Sequence, residues 1–275
     1  MATLHTGFGD KLTVSSAQRE NAIGSMNIVY GRKEGTSYCL VRIPRYTIDG
    51  HRIMPKVALT SGSLVGEKCS ALAYARRENT VFVLNGGLFN TSTLLPQGQT
   101  VIGGVSVTNT PMTDDMGAAI SNAECYPLCI DSDGNLSAPY GRNADTQQMI
   151  NNGILWAVTG WGQLIDNFLP TGQDKFNEIV HPGKEIRQCI GQYENGDYLV
   201  CTVDASRNGK ATHDAGMTYD TLASLLVQEG VKFAYALDGG GSTETVVGQR
   251  QINPIYEGST GRAVPTVIRF DVEEV

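Results

Sequence analysis

Residues 218–243 read TYDTLASLLVQEGVKFAYALDGGGST, and the expected fold is built outward from this run. Thr218 has the side chain of an N-cap. Leu222, Ala223, Leu226 and Val227 recur at helical spacing, and Gly230 stands where helices commonly end. Val231–Leu237 is then a short apolar strand, stopped by Asp238-Gly239-Gly240-Gly241. The same order occurs earlier in the chain. Leu64–Arg77 is a helix candidate, with Leu64, Val65, Cys69, Leu72 and Ala75 near one face. Val81–Leu84 is a strand stopped by Asn85-Gly86-Gly87. The flanking residues are dissimilar, so the pattern recurs without marking a duplication.

Other segments read as strands. Tyr38–Ile43 is one, followed by a turn near Asp49-Gly50 and a strand ending at Leu59. Leu155–Val158 is another. Ile186–Gly191 and Tyr198–Asp204 flank Asn195-Gly196, a hairpin signal because both turn residues accept positive φ. Val264–Val272 reads as a closing strand despite Pro265, which an edge could tolerate. Pro111–Gly117, Ala138–Asp145 and Leu169–Gln173 read as loops. Strands outnumber helices, so the expected class is α+β, strand-rich with long loops, a mixed central β-sheet being flanked by helices. Residues 1–37 read as an N-terminal extension and 38–275 as one domain.

Composition narrows the function classes. The 275 residues are 41 % hydrophobic, enough for a substantial core, yet no apolar run is long enough for a spanning helix. Met1-Ala2-Thr3-Leu4-His5 lacks the basic and apolar regions of a secretory signal. The net charge of −7 opposes non-specific nucleic-acid binding, so an anionic substrate has to be held by a few placed arginines. The six cysteines, Cys39, Cys69, Cys125, Cys129, Cys189 and Cys201, match no zinc spacing and read as buried or free thiols.

Asp238–Thr243 is the first candidate for chemistry. Three glycines after a strand let the backbone approach a ligand, and successive N–H groups in such a turn can form an anion-binding nest. Asp238 supplies a carboxylate, with the Ser242 and Thr243 hydroxyls beside it; the bland alternative is a glycine turn without a ligand. The run is no nucleotide P-loop, because Lys-Ser/Thr is missing, and the strand–loop–helix order of a dinucleotide fingerprint fails. In Asn85-Gly86-Gly87-Leu88-Phe89-Asn90, Asn85 could bond a sugar hydroxyl or phosphate oxygen with Phe89 packed beside it. The alternative is a loop held by asparagine capping. Asp204-Ala205-Ser206-Arg207 puts a carboxylate and a guanidinium at the end of a hairpin strand. With Arg187 and Arg262 it gives three arginines at strand ends, suited to bidentate phosphate contacts, although singly each is more often a surface ion-pair partner. Among His5, His51, His181 and His213, only His213-Asp214 sits where a proton carrier is useful, and a solvated loop histidine is the plainer reading. There is no HExxH motif and no nucleophile elbow. Asp204, Asp238 and Glu244 could meet a divalent metal, but no ligand pattern demands one, and no cofactor is expected.

The order Asn85-Gly-Gly-x-Phe89, Arg187, Asp204-x-x-Arg207, Gly216-Met217-Thr218 before a helix, Asp238-Gly-Gly-Gly-Ser-Thr243 and Arg262-x-x-Pro265 resembles the phosphodiester glycosidase domain. That family includes the lysosomal uncovering enzyme, an N-acetylglucosamine-1-phosphodiester alpha-N-acetylglucosaminidase. The resemblance runs from Tyr38 to Val272 and is densest over Arg187–Phe270. It departs at Leu88, where the family usually carries a second aromatic, and at Glu244, where an uncharged residue is commoner. Val105–Asp174 has no alignable detail.

The resemblance implies hydrolysis of a glycosyl–phosphate bond in a sugar-phosphate or phosphodiester-linked glycan, with no nucleic-acid partner. Asp238 would act as base or as stabiliser of the oxocarbenium-like centre, with Asp204 as the second carboxylate. Arg187, Arg207, Arg262 and the Gly239, Gly240 and Gly241 amides would hold the phosphate. Asn85, Ser242 and Thr243 would orient hydroxyls, with Gly86 and Gly87 lining the site. Some relatives are phage-associated, so the implied setting is the producing cell's cytoplasm or a virion, a phage tail included. Two alternatives stand beside this: a phosphodiesterase that breaks the bond to phosphorus, and a non-catalytic carbohydrate-binding or particle-structural module.

Overall fold

The computed structural model describes residues 15–113, 125–171, 183–206 and 214–273. Among the described residues strands far outweigh helices, so the fold is mainly β, and their pairings are antiparallel, so the mixed central sheet of the expected α+β class is not found there. Parallel neighbours need long crossovers, whereas antiparallel ones can be joined by tight hairpins. One such hairpin turns at Asn195-Gly196, where Gly196 has φ +90. It joins Arg187–Gln192 to Tyr198–Val203, close to the expected bounds.

A seven-stranded sheet runs in the order Asn27–Lys33, Thr36–Ile43, Tyr198–Val203, Arg187–Gln192, Phe233–Ala236, Gly162–Asp166, Leu169–Pro170. It begins at Asn27, so the boundary drawn at residue 38 falls inside its first hairpin. Glu34 and Gly35 both take positive φ there, the geometry of a two-residue hairpin turn, from a pair that is not among the usual turn signals. A five-stranded sheet orders Arg250–Gln251, Thr245–Val247, Phe82–Asn85, Thr266–Glu273, Arg52–Leu59. A second five-stranded sheet orders Leu136–Ser137, Pro127–Asp131, Ile154–Thr159, Gln99–Ile102, Val105–Asn109. The closing strand forms as Thr266–Glu273 and is flanked on both sides, so Pro265 is tolerated without an edge position. The proline precedes the first paired residue, and its carbonyl accepts from Thr60 N at 3.0 Å.

The Thr218 cap forms as expected: its Oγ1 accepts from Thr221 N at 3.2 Å and the helix Tyr219–Gln228 follows. Of the helices Ser16–Gly24, Ala71–Glu78 and Thr146–Asn151, the second answers the other expected helix and is shorter than expected. It spans Ala71–Glu78, capped by Ser70 and ended by left-handed Asn79. Upstream, Lys68 Nζ donates to the Leu64 and Gly66 carbonyls at 2.7 Å each, holding a turn that leaves Val65 95 % exposed.

The main core lies between one face of the seven-stranded sheet and the five-stranded sheets, where Val41, Ile190 and Val200 meet Val57, Leu84 and Ile268. Phe270 stands edge-on to both Phe82 and Tyr198, at 5.3 Å between centroids in each pair. The opposite face packs Leu40, Cys189 and Leu199 under Leu222 and Leu226 of the helix. All six cysteines are free thiols, and burial pushes Cys125 and Cys129 up to about 12. A reductant should therefore leave the thermal midpoint unchanged, which differential scanning calorimetry with and without dithiothreitol checks. No helix among the described residues is long and apolar enough to cross a membrane.

Candidate active site

The two glycine-stopped strands belong to different sheets and meet at their ends. Asp238 N donates to Gly86 O at 3.3 Å, and Asn85 Nδ2 donates to Asp238 O at 2.7 Å. Asn85 Oδ1 in turn accepts from Glu244 N at 3.1 Å. Asn85 is thus a strut between backbones, 1 % exposed, rather than the substrate-orienting group expected. Beneath it, Gln188, Thr202 and Thr245 form a buried hydrogen-bonded network that ties the two sheets together.

Close approach explains Gly86 and Gly87. A Cβ on Gly86 would lie 2.8 Å from Thr266 O, and one on Gly87 would overlap Val158 and the Thr159 carbonyl. The pair admits neighbouring strands and is absent from the lining of the cleft described below. Gly87→Ala should therefore destabilise the fold by about 2 kcal/mol through overpacking. Denaturant titration without any ligand checks this.

Around Asp238 the glycines also turn inward. Gly239 N donates to Asp238 Oδ1 at 2.9 Å, fixing the carboxylate, and Gly240 N donates to Ile186 O at 3.0 Å. With these two amides engaged inside the protein, the expected anion-binding nest is not available as drawn. Ser242 and Thr243 are 0 % exposed, which corrects their expected contact with substrate hydroxyls. Ser242 Oγ accepts from Arg262 Nη1 at 3.3 Å.

What remains open is a cleft of about 280 Å³ lined by Asp238, Arg187, Arg262, Glu185, Trp161, Thr91, Ile186 and Gly239–Gly241. Arg187 is 4 % exposed and rigidly held. Its Nε donates to Met217 O at 3.2 Å, its Nη2 to Gly183 O at 2.7 Å, and its guanidinium lies 4.0 Å over the Tyr219 ring. Arg262 is paired with Glu257, both contacts at 2.6 Å. The structure thus brings Asp238, Arg187 and Arg262 together as expected.

Asp204 is not in the lining. Its Oδ1 accepts from Tyr256 OH at 2.6 Å; burial raises its carboxyl above the usual range, and the tyrosine bond offsets part of that rise. It anchors the segment that carries Glu257. Arg207 lies outside the described residues, as do His5, His181 and His213.

Glu185, Trp161 and Glu257 were not anticipated. Trp161 had a signal, since Gly160 and Gly162 flank it. A Cβ on Gly160 would sit 2.5 Å from Ala236 O, and Trp161 N donates to that carbonyl at 2.8 Å, so the backbone that carries the ring lies close against the strand leading to Asp238. Leu88, at the position where a second aromatic is usual, packs with Met112 and Cys125 behind Trp161, and Phe89 is buried in the core under the helix Ala71–Glu78. Glu185 and Glu257 look like ordinary loop acids.

Glu244 is 2 % exposed, and its Oε2 accepts from Leu72 N at 3.0 Å at the start of the helix Ala71–Glu78. Its Oε1 has no hydrogen-bond partner among the described residues, and burial pushes the carboxyl up to about 7. Among the described residues, no group of three or more His, Cys, Asp or Glu could hold a metal ion, so Asp204, Asp238 and Glu244 do not form one.

The sequence pattern of the phosphodiester glycosidases matches residues 78–270, from the end of the Ala71–Glu78 helix through the closing strand. The chain belongs to that family. Over 200 residues it is 27 % identical to the SPbeta prophage-derived uncharacterized protein YomE of Bacillus subtilis (strain 168), covering 72 % of this chain. It spans only 29 % of that relative's length. Its fold matches the catalytic domain of zebrafish N-acetylglucosamine-1-phosphodiester alpha-N-acetylglucosaminidase auto-inhibited by its pro-peptide. The TM-score is 0.65 at 18 % identity, over 91 % of this chain and 82 % of that one. A hypothetical protein from Synechocystis matches with TM-score 0.63 at 13 % identity, over 90 % and 62 % of the two chains. A putative exported protein of Burkholderia pseudomallei K96243 matches with TM-score 0.56 at 14 % identity, over 86 % and 74 %. At these identities the structural matches establish the phosphodiester glycosidase fold alone.

Proposed function

We propose that this domain hydrolyses a glycosyl–phosphate bond, releasing a free sugar and a phosphate monoester. The observation that carries the reading is the shared cleft, which the carboxylate Asp238 lines together with Arg187 and Arg262. A phosphate is a good leaving group, so the site needs little general-acid help. It needs cations where negative charge develops on the departing phosphate and a carboxylate near the anomeric carbon. Arg187 and Arg262 are the phosphate ligands. Asp238 serves the anomeric centre, as base or as stabiliser of its positive charge. Glu185, which lines the cleft, replaces Asp204 as the second carboxylate. Trp161 offers an aromatic wall to the apolar face of a sugar. The volume lies near the lower end of ligand clefts, about 300–1,000 Å³, and suits one sugar ring with its phosphate. The prophage-derived relative supports a phage-encoded setting.

The test is a panel of sugar-1-phosphodiesters incubated in ¹⁸O-labelled water. Label in the released sugar is the expected result. Label in the phosphate would make the protein a phosphodiesterase, and tight binding without product would make it a binding module.

A further inference from the structure

We propose that Glu257 is a positioning residue that presents Arg262 to the substrate phosphate. The inference rests on the glycosyl–phosphate reading of the cleft. Glu257 Oε2 accepts from Arg262 Nε and Oε1 accepts from Nη2, each at 2.6 Å. Ser242 Oγ takes one N–H of Nη1 at 3.3 Å. A guanidinium carries five N–H donors, so these bonds leave one on each Nη nitrogen. That combination can pair with two oxygens of one phosphate. Arg262 lines the cleft, whereas Glu257 stands behind it.

The surroundings are built to seat this glutamate. A Cβ on Gly241 would lie 2.8 Å from Glu257 Cγ and overlap the carboxylate, so the third glycine of the run makes room for it. Gly258 at φ +63 and Gly261 at φ +95 turn the chain back, so that Glu257 and Arg262 face each other across a short loop. On its other side Glu257 follows Tyr256, which is buried and bonded to Asp204. The ion pair is locally neutral. Arg262 therefore contributes oriented donors more than net field, and the ordering of its side chain is supplied before substrate arrives.

The test is a double-mutant cycle over Glu257 and Arg262 with two readouts, kcat/KM on the best sugar-1-phosphodiester and binding of inorganic phosphate by calorimetry. Glu257→Ala should lower kcat/KM about tenfold or more in the wild-type background, yet less than about twofold when Arg262 is already alanine. Phosphate binding should follow the same non-additive pattern. Glu257→Gln, which keeps the shape and one acceptor but turns its NH2 toward the second guanidinium N–H, should lose about threefold in both readouts when Arg262 is present and nothing measurable when Arg262 is alanine; if Glu257→Ala does not fold, the cycle is run with Glu257→Gln. Additive losses would overturn the proposal, because Glu257 would then act independently of Arg262. So would a Glu257→Ala protein that binds phosphate more tightly with turnover intact, since the glutamate would then be a competitor for the guanidinium. Wild-type protein that ignores millimolar phosphate overturns it as well. If wild type binds phosphate but cleaves no sugar phosphodiester, the hydrolase reading fails while the phosphate cycle still decides the role of Glu257.

Discussion

Asp238→Asn should lower kcat/KM for a sugar-1-phosphodiester by at least about a hundredfold, a loss of about 2.7 kcal/mol in transition-state stabilisation. The substitution is nearly isosteric, and an amide oxygen can still accept the Gly239 N–H that now bonds Asp238 Oδ1 at 2.9 Å. The main-chain bonds of Asp238 to Gly86 and Asn85 do not involve its side chain, so the junction of the two strands should persist. What disappears is the carboxylate charge that the proposed mechanism places at the anomeric centre. The thermal midpoint should stay near that of the parent, and steady-state kinetics on the purified variant is the check. Activity within about tenfold of the parent, about 1.4 kcal/mol, would remove Asp238 from its assigned role.

Glu244→Gln should flatten the dependence of stability on pH. The Glu244 carboxyl rises from 4.5 to about 7 because it is desolvated, and its bond to Leu72 N, with that of Ala71, only partly compensates. The folded state thus holds this proton up to a higher pH than the unfolded chain does. Below about pH 4.5 both states are protonated and the contribution to stability is fully present. Between 4.5 and 7 the unfolded chain has released the proton while the folded one retains it, so stability falls as pH rises. Above 7 the loss is complete, amounting to about 3 kcal/mol. Glutamine keeps an acceptor for Leu72 N and cannot ionise. Denaturant titrations at several pH values from 5 to 8 should show the parent losing more stability than Glu244→Gln, with the variant the more stable at pH 8. Parallel curves would show that burial does not hold the proton on Glu244.

Much of the fold was legible because its signals are local. Thr218 caps a helix, Gly230 follows it, and Asn195-Gly196 makes a hairpin, each through chemistry contained in a few residues. Whether distant strands pair parallel or antiparallel has no such signature, and there the expected mixed sheet failed. The site divides along the same line. Asp238, Arg187 and Arg262 stand out as charges beside strands, and they converge. Asn85 looked like a ligand-facing amide, but its partners at Asp238 and Glu244 lie 153 and 159 residues away, where no local pattern reaches. Asp204 and Glu185 are both acids at the ends of hairpin strands. Asp204 is turned into the support of the cleft by Tyr256, 52 residues further on, and Glu185 lines it. A loop glutamate such as Glu257 declares nothing until the arginine it grips is seen.

Arg187, Asp238 and Trp161 are carried by the seven-stranded sheet, whereas Arg262 enters from the segment leading into Thr266–Glu273 of a five-stranded sheet. The two guanidiniums therefore reach one cleft from segments that belong to different sheets, and Arg262 is held toward the Asp238 loop by Ser242 and Glu257. A shift between those sheets too small to unfold anything would change how the proposed phosphate ligands are spaced, so the Asn85 strut and the Gln188–Thr202–Thr245 network, which tie the sheets together, hold the cleft to its width.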